Sequence, residues 1–481
     1  MAQMTATPVS TQGFFLDGKW REEGDAVEIH APYDGSVIGR VYQGRTDHAQ
    51  AAIAAAVKAF GTTRRLPAFE RQRVLRRVAQ TIVERKAEFA HTLAQEAGKP
   101  IKAARTEVER AIFTFNVAAE ESTRIPGEYL SLDWQEFTAG RWGIVRRFPL
   151  GPIAGITPFN FPLNLVAHKV APAIAAGCPM VLKPAPQTPF CSLLLAEAVQ
   201  QAGWPDGGLN VIPLSNEDAG LLVSDDRLKM ISFTGSAAVG WDIKRRAGKK
   251  KVLLELGGNA GVIVHSDADL NYAADRCVAG GFGYAGQTCI SVQRILVEHS
   301  VYAKFTDLLL AGVNKLKTGD PLDDTTDLGP LIRESDAIRA SQWIDEAVRG
   351  GARLLCGGHR QGSLLEPTVL SSTRPEMKVN CQEIFAPVVT VEPYDDFHKA
   401  LKQINSSSYG LQAGIFTRDA KLLFEADEEL EVGGLIAGDV PSFRIDHMPY
   451  GGIKDSGLGR EGLRYAIEEM TEPKLLVMNI R

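Results

Sequence analysis

The chain has 481 residues, of which 44% are hydrophobic and 23% charged, and its formal net charge at pH 7 is −5. This length exceeds what one hydrophobic core usually supports, so we expect two or three domains in an ordinary globular protein. The mild negative charge argues against a nucleic-acid-binding protein. No apolar run reaches the roughly 18 residues of a membrane span, so we expect no membrane association.

The six cysteines are scattered along the chain and show no CxxC or other metal-like spacing. This pattern predicts reduced thiols in a cytoplasmic protein and no metal site. The segment from Met1 to Gln12 is polar and has no charged start followed by an apolar core, so we expect no signal peptide and a short flexible tail.

The predicted elements begin with a strand and turn over 14–20. Alanine-rich helical spacing follows over 46–97 and resumes over 101–121. Residues 125–148 change character and predict an antiparallel ribbon that projects from the body.

Short apolar strands then alternate with helices, starting at residue 151. The strands are predicted over 153–156, 180–182, 209–212 and 230–233. Continuous apolar strands separated by helices are typical of a parallel sheet covered on both faces, so we predict a doubly wound, Rossmann-like α/β domain.

A second α/β unit is predicted from the strand at 252–256 to about residue 438, with a later strand at 388–391. The glycine-rich segment 280–286 suits a core helix poorly. The tail 474–478 has strand character but no partner nearby in sequence, so we expect it to extend the sheet of a neighbouring subunit.

Cys289 and Glu255 are the first candidate catalytic residues. Cys289 lies in a loop of small residues, 286–291, where an electrophile could reach the sulfur. The other cysteines are interpreted as core or incidental residues, because free cysteine behaves as a small buried hydrophobe. Glu255 follows an apolar strand and precedes two glycines. Without Cys289, Glu255 would be interpreted as a solvated or capping carboxylate at a strand end.

Together with the motifs Pro158 to Pro162 and Lys183 to Ala185, these residues resemble the aldehyde dehydrogenase superfamily, in the family's order from about residue 14 to 475. The resemblance implies the aldehyde dehydrogenase fold, with a Rossmann-like cofactor domain, an α/β catalytic domain and a β oligomerisation ribbon. The implied divisions are 1–124 and 149–254 for the NAD(P)-binding domain, 255–438 for the catalytic domain, and 125–148 and 439–481 for the ribbon and C-terminal arm.

The resemblance also implies the catalytic roles. The Cys289 thiolate would attack the aldehyde carbon, and a thioester would remain after hydride transfer. Glu255 would activate the water that hydrolyses this thioester. Asn160 would donate its side-chain amide to the oxyanion, together with the backbone N–H of Cys289. From its residues alone, Asn160 could equally be a turn residue.

A nicotinamide cofactor, NAD or NADP, is implied as well. The segment Phe233 to Gly240 follows a strand and opens a helix with the spacing G-x-x-x-x-G, a variant of the usual fingerprint. Pro186 stands where NAD-preferring members often carry a glutamate for the adenosine ribose, which leaves the cofactor preference open. The resemblance places around the cofactor Ile156, Thr157, Pro158, Phe159, Lys183, Ala185, Pro186, Phe233, Thr234, Gly235, Ser236, Val239, Leu256, Gly257, Glu383 and Phe385.

The substrate end is predicted at Arg444, Phe161 and Ile290. Arg444 has two interpretations: it pairs with Asp446 or a neighbouring subunit, or it anchors an anionic substrate tail. The surrounding sequence resembles the lactaldehyde, glyceraldehyde and phosphonoacetaldehyde dehydrogenase branch, so a short polar or anionic aldehyde is expected. The later signature 450–457 is interpreted as structural.

The predicted activity is oxidation of an aldehyde to the carboxylic acid with NAD(P)+ by a homodimer or homotetramer. Two alternatives stay open. One is transfer of the acyl group to coenzyme A, although members with that activity typically lack the glutamate matched by Glu255. The other is a non-catalytic structural protein that keeps the fold.

Overall fold

The computed structural model describes residues 10–480. Residues 1–9, which include most of the segment predicted to be a flexible tail, lie outside the described residues, as does residue 481. No helix within residues 10–480 combines the length and the apolar character needed to cross a bilayer.

The N-terminal part contains five short strands and then four helices, as the helical spacing predicts. Helix α3 ends at Gly98, whose φ of 61° is left-handed, and Pro100 directly precedes α4. The elements are β1 (Thr11–Gln12), β2 (Phe14–Leu16), β3 (Lys19–Arg21), β4 (Asp25–His30), β5 (Val37–Gln43), α1 (Thr46–Thr63), α2 (Ala68–Glu84), α3 (Lys86–Ala97) and α4 (Ile101–Glu121).

The central part begins with two antiparallel strands and continues as the alternation of strands and helices predicted from the apolar runs. Its elements are β6 (Glu128–Ser131), β7 (Arg141–Pro149), β8 (Ile153–Ile156), α5 (Asn164–Ala176), β9 (Met180–Lys183), α6 (Phe190–Gln201), β10 (Leu209–Val211), α7 (Gly220–Ser224), β11 (Met230–Thr234), α8 (Ala237–Arg246) and β12 (Lys251–Glu255).

The C-terminal part carries a second alternation and ends in a long strand. Its elements are β13 (Ala260–Val264), α9 (Leu270–Phe282), β14 (Val292–Glu298), α10 (His299–Val313), α11 (Glu334–Arg349), β15 (Arg353–Cys356), β16 (Arg360–Gln361), β17 (Leu364–Leu365), β18 (Thr368–Ser371), α12 (Lys378–Cys381), β19 (Val388–Tyr394), α13 (Phe397–Asn405), β20 (Tyr409–Gly410), β21 (Gln412–Phe416), α14 (Ala420–Glu429), β22 (Gly434–Ala437), β23 (Ile453–Lys454), β24 (Gly457–Leu458), α15 (Leu463–Glu469) and β25 (Thr471–Asn479).

The first sheet has eight strands in the order β24-β12-β11-β8-β9-β10-β2-β3, and strands β8 to β12 are parallel to one another. Alternate residues face opposite layers of helices. Ile153 and Leu182 join the core with α2 to α6, whereas Ala154 and Val181 join the core with α1, α7 and α8. Both faces are therefore covered, which confirms the predicted doubly wound domain.

The strand order places β11 and β9 on opposite sides of β8. Successive strands are therefore added on one side of β8 and later on the other. Ligands of doubly wound sheets bind at such a switch point in strand order. The pairs Ile156 with Lys183 and Thr234 with Glu255 show that neighbouring strands end at the same edge.

The second sheet has seven strands in the order β15-β18-β19-β14-β13-β21-β22, all parallel except the pair β15 and β18. Helix α9 packs against it and includes Gly280 and Gly281, so the expectation that this glycine-rich segment avoids a core helix is wrong at these two positions. A Cβ on Gly280 would lie 2.9 Å from the Val292 side chain, and one on Gly281 would lie 2.6 Å from that of Val389. The glycines let the helix approach the sheet closely.

The ribbon is a three-stranded antiparallel sheet in the order β25-β7-β6. Strand β25 pairs with β7 of its own chain over nine residue pairs, from Thr471 with Pro149 to Asn479 with Arg141. The tail therefore has a partner in its own chain, more than 300 positions earlier, and the extension of a neighbouring subunit's sheet stays a prediction. The outer edge of β25 carries exposed apolar side chains, including Leu475 and Leu476.

Candidate active site

A cavity of about 360 Å³ opens at the carboxyl ends of the first sheet's parallel strands and reaches the second sheet's loops. The predicted residues that line it come from both parts of the chain. They are Pro158, Phe159, Asn160, Phe161, Thr234, Gly235, Ser236, Glu255, Leu256, Gly257, Cys289, Ile290, Glu383, Phe385 and Arg444. The structure therefore brings together the three predicted catalytic residues with most of the predicted cofactor and substrate residues.

Glu255 is the last residue of β12 and is buried, with 3% of its surface exposed. Neither carboxylate oxygen has a hydrogen-bond partner among the described residues. Burial raises the pKa of Glu255 well above its usual value, and the negative charge of nearby Glu461 raises it further against the opposing charges of Arg444 and Lys169. The raised pKa makes the carboxylate more basic than an exposed one, and it therefore accepts a proton more readily.

Cys289 follows a tight turn, Gly283–Gly286, in which Tyr284 and Ala285 have left-handed φ angles of 50° and 52°. Its Sγ lies 2.9 Å from the Tyr450 hydroxyl oxygen, and the residue is partly exposed to the cavity. Burial of the sulfur raises the pKa of the Cys289 thiol to about 11, partly offset by the Tyr450 hydroxyl. Cys178, Cys191 and Cys277 are buried and do not line this cavity.

Asn160 is 4% exposed, and its amide Nδ2 donates to the main-chain oxygen of Gln287, 2.9 Å away. This bond ties the loop after β8 to the loop that carries Cys289. The amide has a second N–H, for which the described part of the chain shows no acceptor.

A buried ion pair holds the loop that carries Asn160 in place. The ammonium of Lys99 pairs with Glu107, and it also donates to the main-chain oxygen of Asn160 at 2.7 Å. Glu107 accepts from the backbone N–H groups of Leu163 and Asn164, at 3.0 Å each, where α5 begins. Both charged side chains are 1% exposed. The position of Asn160 therefore depends on a pair of charges with no access to water.

Glu383 and Phe385 approach the cavity from the second sheet's side. Glu383 accepts from the backbone N–H of Gly258 at 2.8 Å, and burial raises its pKa to about 7. The Phe385 ring meets the Phe159 ring edge to face, with centroids 6.0 Å apart. A Cβ at Gly257 would lie 2.3 Å from the Glu383 carboxylate, so glycine is required for this approach.

Seven of the predicted cofactor residues do not line this cavity. Lys183 ends β9, and burial lowers the pKa of its ammonium to about 8. No described carboxylate is in ion-pair contact with this ammonium. Pro186 is exposed and directly follows the buried residues Lys183 to Ala185, where the chain leaves the sheet. The remaining ones are Ile156, Thr157, Ala185 and Phe233, which are buried, and Val239, which is 50% exposed on α8.

Arg444 lines the cavity and donates to Glu461 at 3.1 Å, not to Asp446. The expected pairing with Asp446 is therefore wrong, because Asp446 instead accepts two bonds from Arg110, at 2.7 and 3.2 Å, and one contact from His168. Arg110, on α4 in the N-terminal part of the chain, also lines the cavity. Two guanidinium groups thus face one chamber.

Sequence reasoning missed Arg110 and Tyr450. Arg110 gave no signal, since it is one of many charged residues in the helical run 101–121. Tyr450 opens the signature 450–457, which was interpreted as structural, yet its hydroxyl contacts the Cys289 sulfur. A third feature that was missed is buried Lys169, which donates to Thr234 at 2.8 Å and to Glu461 at 3.3 Å beneath the cavity floor.

Comparisons with known proteins agree with this site. A sequence profile described as the aldehyde dehydrogenase family matches residues 20–476. The chain is 43% identical to a 3-sulfolactaldehyde dehydrogenase of Priestia aryabhattai, over 98% of this chain and 99% of that protein. Among solved structures, aldehyde dehydrogenase 21 of Physcomitrella patens in complex with its reaction product succinate is 46% identical, with a TM-score of 0.97 over 98% of this chain and 99% of that one.

A glyceraldehyde-3-phosphate dehydrogenase of Methanocaldococcus jannaschii, complexed with NADP, is 39% identical, with a TM-score of 0.92 over 95% of this chain and all of that one. The fold, the cavity and these similarities agree. The chain belongs to the aldehyde dehydrogenase family.

Replacing Lys99 with methionine should destabilise the protein, because Glu107 would keep its buried negative charge without the cation that balances it. The expected loss is about 3–5 kcal/mol of unfolding free energy, measured by urea denaturation. Lys102→Met is the matched control three residues later in the chain, since its exposed pair with Asp327 should contribute no more than about 1 kcal/mol. Equal midpoints for the two variants would contradict this account.

Proposed function

We propose that this enzyme oxidises a short aldehyde with an anionic tail to the carboxylic acid, with NAD(P)+ as oxidant, through a covalent intermediate on Cys289. The observation that carries the proposal is the arrangement of Cys289, Glu255 and Asn160 on one cavity that two guanidinium groups also line. The membership of the aldehyde dehydrogenase family supports the same reaction.

In the acylation half-reaction, the Cys289 sulfur attacks the aldehyde carbon, and the carbonyl oxygen becomes an oxyanion. The free N–H of the Asn160 amide and the backbone N–H of Cys289 would donate to this oxyanion, and each such donor contributes about 3 kcal/mol. A bound nicotinamide supplies the hydride acceptor. Loss of hydride from the former aldehyde carbon leaves a thioester on Cys289.

In the deacylation half-reaction, Glu255 takes a proton from a water molecule as the water attacks the thioester carbon. The carboxylic acid leaves, and the Cys289 sulfur is restored. Glu255 acts as base only in its ionised form, and its pKa is raised by burial. Where deacylation limits turnover, the rate should therefore be low at pH values below the raised pKa of Glu255. It should increase as the pH rises through that pKa.

The residues around the cavity fit a nicotinamide dinucleotide. Glu383 holds a carboxylate toward the space where a ribose hydroxyl would need an acceptor, and Ser236 precedes the free N–H groups at the start of α8. Lys183 supplies a buried ammonium that lacks a protein partner. With these go the remaining predicted cofactor contacts on the same edge, Ile156, Thr157, Pro158, Phe159, Ala185, Pro186, Phe233, Thr234, Gly235, Val239, Leu256, Gly257 and Phe385.

The substrate class rests on Arg110 and Arg444, with Phe161 and Ile290 as apolar walls. Guanidinium forks bind carboxylate, sulfonate or phosphate oxygens with charge-assisted hydrogen bonds. The sulfolactaldehyde dehydrogenase relative and the structure containing succinate both concern molecules that carry an anionic group. The cavity volume of about 360 Å³ favours a tail of only a few atoms.

We also propose the division into a cofactor domain of 1–124 and 149–254, a catalytic domain of 255–438, and the ribbon with its arm. The chain crosses from the first sheet to the second between β12 and β13, which supports the second boundary. The exposed apolar side chains on the outer edge of β25 support a homodimer or homotetramer, because an unpaired apolar edge is a poor solvent-facing surface. A cytoplasmic location remains part of this proposal.

Two alternative functions are disfavoured. A coenzyme A-acylating enzyme would have no use for a buried base beside the thioester, and Glu255 occupies that place. A non-catalytic protein would have no reason to keep a carboxylate with two unsatisfied oxygens, which costs stability.

Glu255→Gln should separate the two half-reactions. The variant is expected to give a burst of NAD(P)H close to one per active site, followed by turnover reduced by roughly 100-fold or more, because only deacylation loses its base. Stopped-flow absorbance measures both phases, and mass spectrometry should find an acyl group on Cys289. Cys289→Ala is the control, with no burst and intact cofactor binding. Wild-type steady turnover in Glu255→Gln would show that the base is assigned wrongly.

Arg110→Gln should weaken binding of an anionic aldehyde selectively. For 4-oxobutanoate the KM should increase by roughly tenfold or more, which is the usual cost of losing a hydrogen bond to a charged group. For butanal, which has the same length and no charge, kcat/KM should change little. Arg105→Gln on the same helix is the matched control, since Arg105 is exposed and pairs with Asp324. An equal effect on both aldehydes would remove Arg110 from substrate recognition.

Pro186→Glu should shift cofactor preference toward NAD. The new carboxylate adds an acceptor for the ribose hydroxyls and repels a 2′-phosphate, for which Lys183 is the proposed partner. The measurement is kcat/KM and Kd for both cofactors, in wild type and in the variant. A constant NAD-to-NADP ratio would place discrimination elsewhere, around Ser215 and Asn216.

A further inference from the structure

The Cys289 sulfur is in hydrogen-bond contact with a tyrosine that the proposed mechanism does not use. Tyr450 is 2% exposed, and its hydroxyl oxygen lies 2.9 Å from Sγ. It packs with Ile290 and Leu411 in a small apolar cluster beside the cavity. The contact between a buried hydroxyl and the reacting atom calls for a chemical role.

The backbone around Tyr450 holds this hydroxyl in place. Tyr450 and Glu461 exchange two main-chain hydrogen bonds, of 3.1 and 2.6 Å, in an isolated antiparallel bridge. The guanidinium carbon of Arg444 lies 3.7 Å from the centre of the Tyr450 ring, on its face. A ring that is fixed at its backbone and covered on one face has little freedom to turn its hydroxyl away from the sulfur.

The direction of the hydrogen bond follows from the two acidities. Burial raises the pKa of the Tyr450 phenol well above its usual value, so the phenol keeps its proton at neutral pH. Once the Cys289 thiol has lost its proton, only the phenol can donate. A hydrogen bond to a thiolate is charge-assisted and stronger than one to a thiol, so it favours the ionised sulfur.

We propose that Tyr450 is a further catalytic residue, whose hydroxyl donates to the Cys289 thiolate and thereby favours the nucleophilic form of the sulfur and aims it into the cavity. The inference rests on the proposed function only in taking Cys289 as the nucleophile. The thiol gives its proton to solvent water in the cavity before attack, while the phenol proton stays on Tyr450. When the carbon–sulfur bond forms, the sulfur loses its charge and the hydrogen bond weakens.

Several charged groups face Cys289 and oppose one another. Arg444 lowers the pKa of the thiol, as does the Tyr450 hydroxyl, whereas the negative charges of Glu383 and Glu255 and burial itself raise it. Tyr450 is the only one of these groups that touches the sulfur through a hydrogen bond within residues 10–480. Removing its oxygen alone should therefore shift the balance toward the neutral thiol.

The test is alkylation of Cys289 by iodoacetamide as a function of pH in wild type and in Tyr450→Phe, which keeps the ring under Arg444. Peptide mass spectrometry locates the label, so that the exposed Cys381 does not interfere. In Tyr450→Phe the labelling rate at pH 7.5 should decrease by about tenfold or more, the usual effect of losing a hydrogen bond to a charged group. The midpoint of the profile should move to higher pH without a lower alkaline plateau.

Tyr394→Phe is the matched control. It removes another buried hydroxyl, which lies 2.9 Å from the Nδ1 of His265 and far from the cavity, so its labelling profile should equal that of wild type. A second arm is the wild-type sequence grown with 3-fluorotyrosine, whose more acidic phenols should move the midpoint to lower pH.

The outcomes distinguish a failure of the proposed function from a failure of the role proposed for Tyr450. If Cys289→Ala still oxidises aldehydes, the proposed function fails. If Cys289 is essential but the profiles of wild type and Tyr450→Phe coincide, Tyr450 has no part in activating the sulfur and this inference alone is overturned. A uniform decrease in labelling at every pH would also overturn it, since a structural role predicts that result.

Discussion

The active site depends on the register of one parallel sheet. Strands β8, β9, β11 and β12 are paired so that Ile156, Lys183, Thr234 and Glu255 end at the same edge. Because each chain segment leaves the sheet there, Asn160, Lys183 and Glu255 reach the same edge without long loops. A shift of one residue in β12 would turn Glu255 into the opposite helix layer and remove its carboxylate from the cavity.

A second constraint is the number of charges held away from water around this edge. Glu255 has no hydrogen-bond partner within residues 10–480, while nearby Glu461 is neutralised by Lys169 and Arg444. The pKa of Glu461 is lowered by these cations, and that of Glu255 is raised. Two carboxylates in one buried cluster are thus driven to opposite protonation behaviour, and such divergence is typical of acid–base sites.

Much of the fold could be predicted from the sequence, because its signals are local. Apolar runs over 153–156 and 230–233 became β8 and β11, and the helical spacing over 101–121 became α4 with the same bounds. The partner of β25 could not be predicted, since β7 lies far away in sequence and strand pairing of that kind leaves no local pattern. The tail's apolar character correctly indicated a strand, but not its neighbour.

The residues of the site likewise fall into those that short motifs predict and those that only tertiary packing brings to the cavity. Motifs that combine several residues in a short stretch predicted Cys289, Glu255 and Asn160, and the structure places all three on one cavity. Arg110 is one charged residue in a helical run and Tyr450 belongs to a signature interpreted as structural, and only folding brings both to the cavity that Cys289 lines. The Arg444 pairing was predicted from its neighbour two positions away, yet the actual partner is Glu461, because a buried guanidinium takes the carboxylate that tertiary packing offers.

The turn after β12 limits how this enzyme can be redesigned. A Cβ on Gly258 would lie 2.1 Å from the main-chain oxygen of Cys289, so the nucleophile's own backbone occupies the space of the missing side chain. Neither this glycine nor its neighbour performs chemistry. Even so, a mutational library for a new aldehyde can vary Arg110 or Ile290, which line the chamber, but must leave Gly258 alone. The side of the chamber that carries Arg110 and Ile290 can therefore change with the substrate. The backbone behind the Cys289 sulfur, in contrast, requires glycine at position 258.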